Sequence, residues 1–101
     1  MTFAYVADVA APIEVYDALH AELGRQGAAD GLLVHIGRAT VTGFEVIEVW
    51  ESKEHFDRYT AQVVLPTMGR LGAGQQGPPP EQTLEEFDVR GLILTGARVA
   101  T

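Results

Sequence analysis

The hydrophobic period of this 101-residue chain switches between two and 3.6 in a set order, and that order restricts the fold more than any other feature. Residues 2–10 alternate large and small side chains, with Phe3, Tyr5 and Val9 on one face and Val6 and Asp8 on the other, as a strand does. Pro12 fits the first position of a helix, where its missing N–H costs nothing. Tyr16, Leu19 and Leu23 then follow at helical spacing, and Gly24 or Gly27 supplies the stop. Leu32 to Thr40 and Phe44 to Glu51 read as two strands joined by a tight hairpin through Val41, Thr42 and Gly43. Ser52 is a good N-cap for a second helix that carries Phe56, Tyr59, Thr60, Val63 and Val64 as far as Leu65, where Pro66 kinks or ends it. Thr67 to Leu71 adds one more helical turn. The stretch from Gly72 to Pro80 lacks the apolar content to pack and reads as a loop, Thr83 to Leu94 is a last strand, and residues 95–101 form a loosely held tail.

The resulting order, β-α-β-β-α-β, is the split βαβ or ferredoxin-like arrangement: an α+β fold with a four-stranded antiparallel sheet and both helices on one face. No repeat or boundary divides it, so residues 1–101 read as a single domain. Two helices cover only one face of such a sheet, yet several strands are apolar on both. Phe44, Val46 and Trp50 oppose Ile47 and Val49; Leu32, Val34 and Ile36 oppose Leu33 and Ala39; Phe87, Val89 and Ile93 oppose Leu92 and Leu94. A sheet wet on one side alternates cleanly, and a bare apolar face here would exceed the roughly few hundred Å² that monomers tolerate. A second copy is the simplest cover. The expectation is a homodimer whose sheets meet across a two-fold axis and enclose a barrel, either filled by side chains or left as a pocket for a small apolar or aromatic ligand.

Composition narrows the function. With 7 basic and 14 acidic residues and a net charge of −7, the chain repels phosphate backbones, so no nucleic acid partner is expected. The run Gly43 to Trp50 superficially matches an RNA-recognition strand, but it carries Glu45 and Glu48 where that strand needs a cation. The absence of cysteine excludes a thiol nucleophile, a zinc finger and an iron–sulfur centre. No apolar run nears the ~18 residues of a membrane span, and Arg25 is too late for a signal-peptide n-region, so the expectation is a cytoplasmic protein with no membrane partner. His20, His35 and His55 lack metal-ligand spacing, and no phosphate loop or nucleophile elbow is present; neither a metal nor a cofactor is indicated.

The segment Glu48-Val49-Trp50-Glu51-Ser52-Lys53-Glu54-His55-Phe56, a strand ending in Trp that runs into a Ser-capped acidic helix, resembles the dimeric α/β-barrel superfamily. Within it, the chain is most similar to small actinobacterial-type members and to the antibiotic-biosynthesis monooxygenase group. That superfamily includes cofactor-independent oxygenases of aromatic polyketides, polyketide cyclases, haem-degrading enzymes and effector-binding modules, so the resemblance does not by itself choose the chemistry. Haem-degrading members use an Asn-Trp-His set. This chain has no asparagine, and Tyr59 stands nine residues after Trp50 where many relatives carry the iron-binding His.

The candidate residues follow from these two sources. Trp50 shares a strand face with Val46 and Glu48, and the resemblance implies that this face lines the barrel, where the indole either stacks on a flat ligand or serves as core. Glu48, flanked by apolar neighbours, is either a desolvated general base or acid or the partner of an arginine such as Arg38 or Arg90. His35 lies across the hairpin; if the register puts it on the face of Glu48, the two form a base and its orienter, and one residue of slip turns it to the helix side instead. Tyr59, like Tyr5 and Tyr16, either donates to an enolate or phenolate oxygen or simply packs. Arg90 anchors a ligand carboxylate or pairs with Glu48, and His20 and His55 receive no role. The expected catalytic set is thus His35, Glu48 and Tyr59, with Trp50, Val46, Tyr5 and Arg90 as ligand contacts. The expected activity is cofactor-independent monooxygenation or polyketide cyclisation by proton abstraction; the alternative is a non-catalytic ligand-binding or regulatory barrel.

Overall fold

The computed structural model describes residues 2–72 and 80–94. β1 (Phe3–Val9), α1 (Ile13–Arg25), β2 (Leu32–Ala39), β3 (Phe44–Trp50), α2 (Lys53–Tyr59), a π-helical segment (Thr60–Val64), α3 (Leu65–Leu71) and β4 (Gln82–Phe87) follow in the expected order. The strands form one antiparallel sheet in the order β2-β3-β1-β4. Register decides everything that follows. Phe3 lies opposite Trp50, Tyr5 opposite Glu48 and His35 opposite Glu48, so Phe3, Tyr5, Glu48, Trp50 and His35 share one face. Both helices contact this face: Tyr16 of α1 packs on Phe44, and Phe56 of α2 packs on Phe3, Tyr5 and Trp50 at ring-centroid distances of 5.0–5.9 Å. The core is therefore aromatic and lies under α2, with Leu32 and Tyr59 packed against its edge.

Several boundaries differ from the sequence reading, each for a local reason. Pro12 is the extended N-cap of α1 rather than its first residue. Ser52 caps α2 as expected, its hydroxyl accepting the His55 N–H at 3.2 Å. Pro66 does not end the second helix: the Leu65 N–H reaches back five residues to the Thr60 carbonyl, and this widened turn accommodates a proline that has no N–H to offer Gln62. A bulge between Leu32 and Val34 puts Leu32 on the helix side with Trp50, apart from Val34 and Ile36, with which the alternation had grouped it. β4 stops at Phe87 instead of reaching Leu94, because its partner β1 begins at Phe3 and Ala4 is the last β1 residue paired with it. Of the Gly72 to Pro80 loop, residues 73–79 lie outside the described residues, as does the 95–101 tail.

The opposite face carries Val6, Val34, Ile36, Ile47, Val49 and Phe87, with Arg38 paired to Glu45 at one end. Ile36 and Phe87 are exposed. Among the described residues, no helix is long and apolar enough to cross a membrane.

Candidate functional site

Glu48 is the hub of the molecule's polar interior. Its side chain is 12% exposed, and three donors converge on it. The Tyr5 hydroxyl donates to Oε1 at 2.5 Å, Trp50 Nε1–H donates to Oε1 at 2.9 Å, and His35 Nδ1 lies 2.6 Å from Oε2. Burial alone would push this carboxyl up; the bonds from His35, Tyr5 and Trp50 outweigh it and hold Glu48 below the usual carboxylate range. Glu48 is thus a carboxylate, acceptor only, so the His35 Nδ1 must carry the proton between them. In the neutral imidazole, Nε2 then holds the lone pair. At 2.7 Å from that atom stands the Tyr16 hydroxyl, which also lies 3.3 Å from His20 Nδ1.

Glu48, His35 and Tyr16 thereby form a carboxylate–imidazole–hydroxyl chain, in which the carboxylate fixes the ring and its tautomer and leaves Nε2 as the basic atom. The chain runs from the core outward: Trp50 is 1% exposed, the His35 side chain 25%, and His20 is exposed. Two phenols feel the Glu48 charge from different helices. Burial first and that charge second raise Tyr16, on α1, and Tyr59, on α2, above the usual phenol range. The same two causes, with the hydrogen bond, raise Tyr5 much further, which makes it a donor at any ordinary pH.

The sequence reading paired His35 with Glu48 only if the register allowed it, and the register does. It treated the Glu48 face and the helix side as alternatives for His35. They are one face, and this corrects the larger expectation too: Trp50, Val46 and Glu48 lie beneath the helices and do not line the space between two facing sheets. The arginine alternatives also fall away. Arg38 pairs with Glu45 on the other face, and Arg90 is exposed beyond the end of β4, outside the group around Glu48. Tyr59 meets Trp50 at 5.5 Å with the rings tilted by 43°, and Val46 is half-buried on the same face. His20 was missed. Its signal was the spacing from Tyr16, four residues, which puts both rings on one side of α1.

Tyr16 reaches His35 because position 37 is glycine. A Cβ there would lie 2.1 Å from Tyr16 Cζ, so the phenol rests directly on the β2 backbone. Gly37→Ala is expected to lift the ring, break the bond to His35 and cost about 1–3 kcal/mol, as overpacking does. Urea unfolding and the His35 ring proton shifts check this; an unchanged midpoint with unchanged shifts would show that the ring does not depend on that gap.

No protein-family profile and no curated protein sequence matches the chain. Solved structures do match, across most of its length. The fold is that of antibiotic biosynthesis monooxygenase-like proteins. A Caulobacter crescentus protein classed with those monooxygenases has a TM-score of 0.67 at 14% identity, covering 89% of this chain and 91% of its own. SnoaB from Streptomyces nogalater, a cofactor-independent oxygenase, has a TM-score of 0.57 at 19% identity, covering 91% and 94%. A variant of MhuD with two manganese protoporphyrin IX bound per active site has a TM-score of 0.57 at 18% identity, covering 90% and 97%. Such identities establish the shared architecture and leave the chemistry to the site. His35 has both ring nitrogens engaged, by Glu48 and by Tyr16, which leaves it no free nitrogen for a haem iron.

Proposed function

We propose that the protein is a small-molecule enzyme that abstracts a proton from an aromatic or polyketide-like substrate without a cofactor. The observation that carries this reading is the oriented His35, held through Nδ1 by an ionised, buried Glu48 and presenting Nε2 to a phenolic hydroxyl 2.7 Å away. Tyr16 occupies the position a substrate phenol or enol would take, and its hydroxyl can pass its own proton to Nε2 as it accepts the substrate's. In the oxygenase form, the carbanion left behind reduces O₂, the peroxide anion takes the proton back from the His35 imidazolium, and loss of water leaves a carbonyl. Anthrone plus O₂ then gives anthraquinone plus water, with no further oxidant. In the cyclase form, the same base makes an enolate and positioning supplies most of the gain. Tyr59, half-buried over Trp50, offers an aromatic wall in both.

Oxygen uptake with 1,8-dihydroxyanthrone tests the oxygenase form. His35→Ala is expected to lower turnover about a hundredfold or more, the scale of a lost general base, while probe binding survives. Full turnover in that variant would remove His35 from the chemistry. One observation favours a second reading, a binding protein without turnover: Nε2 is already satisfied by Tyr16, and the clefts beside Pro12, beside Arg38 and beside Tyr59 are not lined by His35 or Glu48. Binding of the anthrone with no oxygen uptake and no cyclisation of polyketide analogues would select it.

The homodimer belongs to the same proposal. The face bearing Val6, Val34, Ile36, Ile47 and Phe87 has its helices on the other side, and a second copy of that face is its natural complement. Sedimentation at micromolar concentration is expected to give twice the 10.9 kDa of one chain.

A further inference from the structure

Beside Tyr59 lies a cleft of about 210 Å³, between the α1–β2 loop and the rod formed by α2, the π-helical segment and α3. Its walls include Gln26, Asp30, His55, Arg58, Tyr59 and Gln62. A pocket for a whole polycyclic ligand needs roughly 300–1,000 Å³, so this one fits a substituent rather than a ring system. Its charges are unevenly matched. Arg58, which is exposed, makes no ion pair among the described residues; nor does Arg90, which lies outside the cleft, whereas Arg25, Arg38, Lys53 and Arg70 each have a carboxylate partner. The one carboxylate in the wall, Asp30, is 84% exposed and lies 4.0 Å from His55, so solvent screens it. Gln26 is already committed, donating from Nε2 to the fully buried Thr67 hydroxyl at 2.8 Å.

Two features connect this cleft with function. The π-helical segment contributes Gln62 and Val63 to the wall, and local π turns inside helices recur at functional sites. Tyr59 belongs to both places: it lines the cleft, and its ring lies 5.5 Å from that of Trp50, which hydrogen-bonds Glu48.

We infer that the cleft is a subsite for a carboxylate borne by the aromatic substrate, with Arg58 as the residue that recognises it. This rests on the proposed function for the aromatic core, which lies against Tyr59. A guanidinium matches a carboxylate through two parallel N–H bonds, and on a chain of net charge −7 an unpaired arginine in a concave wall is a rare place for an anion to settle.

Anthraquinone-2-carboxylate and its neutral carboxamide test the inference without turnover, read by quenching of the chain's single tryptophan, Trp50. The carboxylate is expected to bind about tenfold more tightly, a typical worth for one charge-assisted contact. Arg58→Gln is expected to bring the two affinities within about twofold, and Arg25→Gln, which removes an equal charge elsewhere, to leave the preference intact; circular dichroism verifies that both variants fold. Equal affinities in the parent, a preference that survives Arg58→Gln, or one lost in Arg25→Gln would overturn the assignment of Arg58 and leave the aromatic site standing. Quenching by neither probe would overturn both readings.

Discussion

Replacing Glu48 by alanine is expected to cost about 3–5 kcal/mol of folding stability, and replacing it by glutamine about 1–2 kcal/mol. Alanine leaves three buried or half-buried donors without an acceptor: the Tyr5 hydroxyl, the Trp50 N–H and the His35 Nδ1–H. Each orphaned donor costs about 1–3 kcal/mol, and relief of the buried charge returns part of the total. Glutamine keeps its oxygen for Tyr5 and Trp50 and turns its NH₂ toward His35, whose Nδ1 accepts once the ring proton has moved to Nε2, so every donor keeps a partner and the loss is the charge of the acceptor. The pH dependence has a definite sign. The folded pKa of Glu48 is lowered, so its contribution is fully present above the ordinary value of 4.5 and is lost as pH falls through the lower folded value. Urea unfolding at neutral pH and near pH 3 should therefore show the parent losing its advantage over Glu48→Gln in acid, while other carboxylates titrate alike in both. An advantage of equal size at both pH values, or an alanine variant as stable as the parent, would show that the network does not hold the fold.

This hub also marks how far the sequence could be read. Element order was legible because each segment has its own period and a stop: Ser52 before α2, Pro12 before α1, Gly43 at the hairpin. The Gly43 carbonyl accepts the Thr40 N–H at 2.9 Å, and a Cβ on Gly43 would lie 2.0 Å from the Val9 carbonyl, so that turn has little room to slip. Members of the site were legible too, since His35 and Glu48 are polar residues amid apolar strands. Which side of the sheet they face was not. Strands apolar on both sides give no inside from alternation, and the aromatic side chains that settle the matter, Phe56 and Tyr59 on α2 and Tyr16 on α1, do so through contacts far apart in sequence. The early end of β4 was hidden for a related reason: Val89, Leu92 and Ile93 have strand-like character, but a strand needs a neighbour, and the neighbour's length is fixed some 80 residues earlier, at Phe3.

Trp50 carries the other large effect, and it separates two roles that the sequence left open. The indole is 1% exposed, meets Phe56 edge-on at 5.9 Å and Tyr59 at 5.5 Å, and donates to Glu48. Trp50→Ala is expected to cost about 3–5 kcal/mol, the usual range for emptying a buried aromatic site. Trp50→Phe keeps much of the packing and removes the N–H; its expected cost is about 1–2 kcal/mol, part cavity and part lost bond to a charged acceptor. A double-mutant cycle divides those parts. In a Glu48→Gln background the acceptor is neutral and the bond weaker, so Trp50→Phe should cost less there by about 0.5–1 kcal/mol, within the range of coupling seen for residues in contact. Thermal or urea unfolding of the four proteins gives the answer. A cost identical in both backgrounds would mean that the N–H···O contact contributes nothing measurable and Trp50 is core alone; a coupled pair would mean that the Trp50 N–H also helps keep Glu48 ionised, and with it the charge that orients His35.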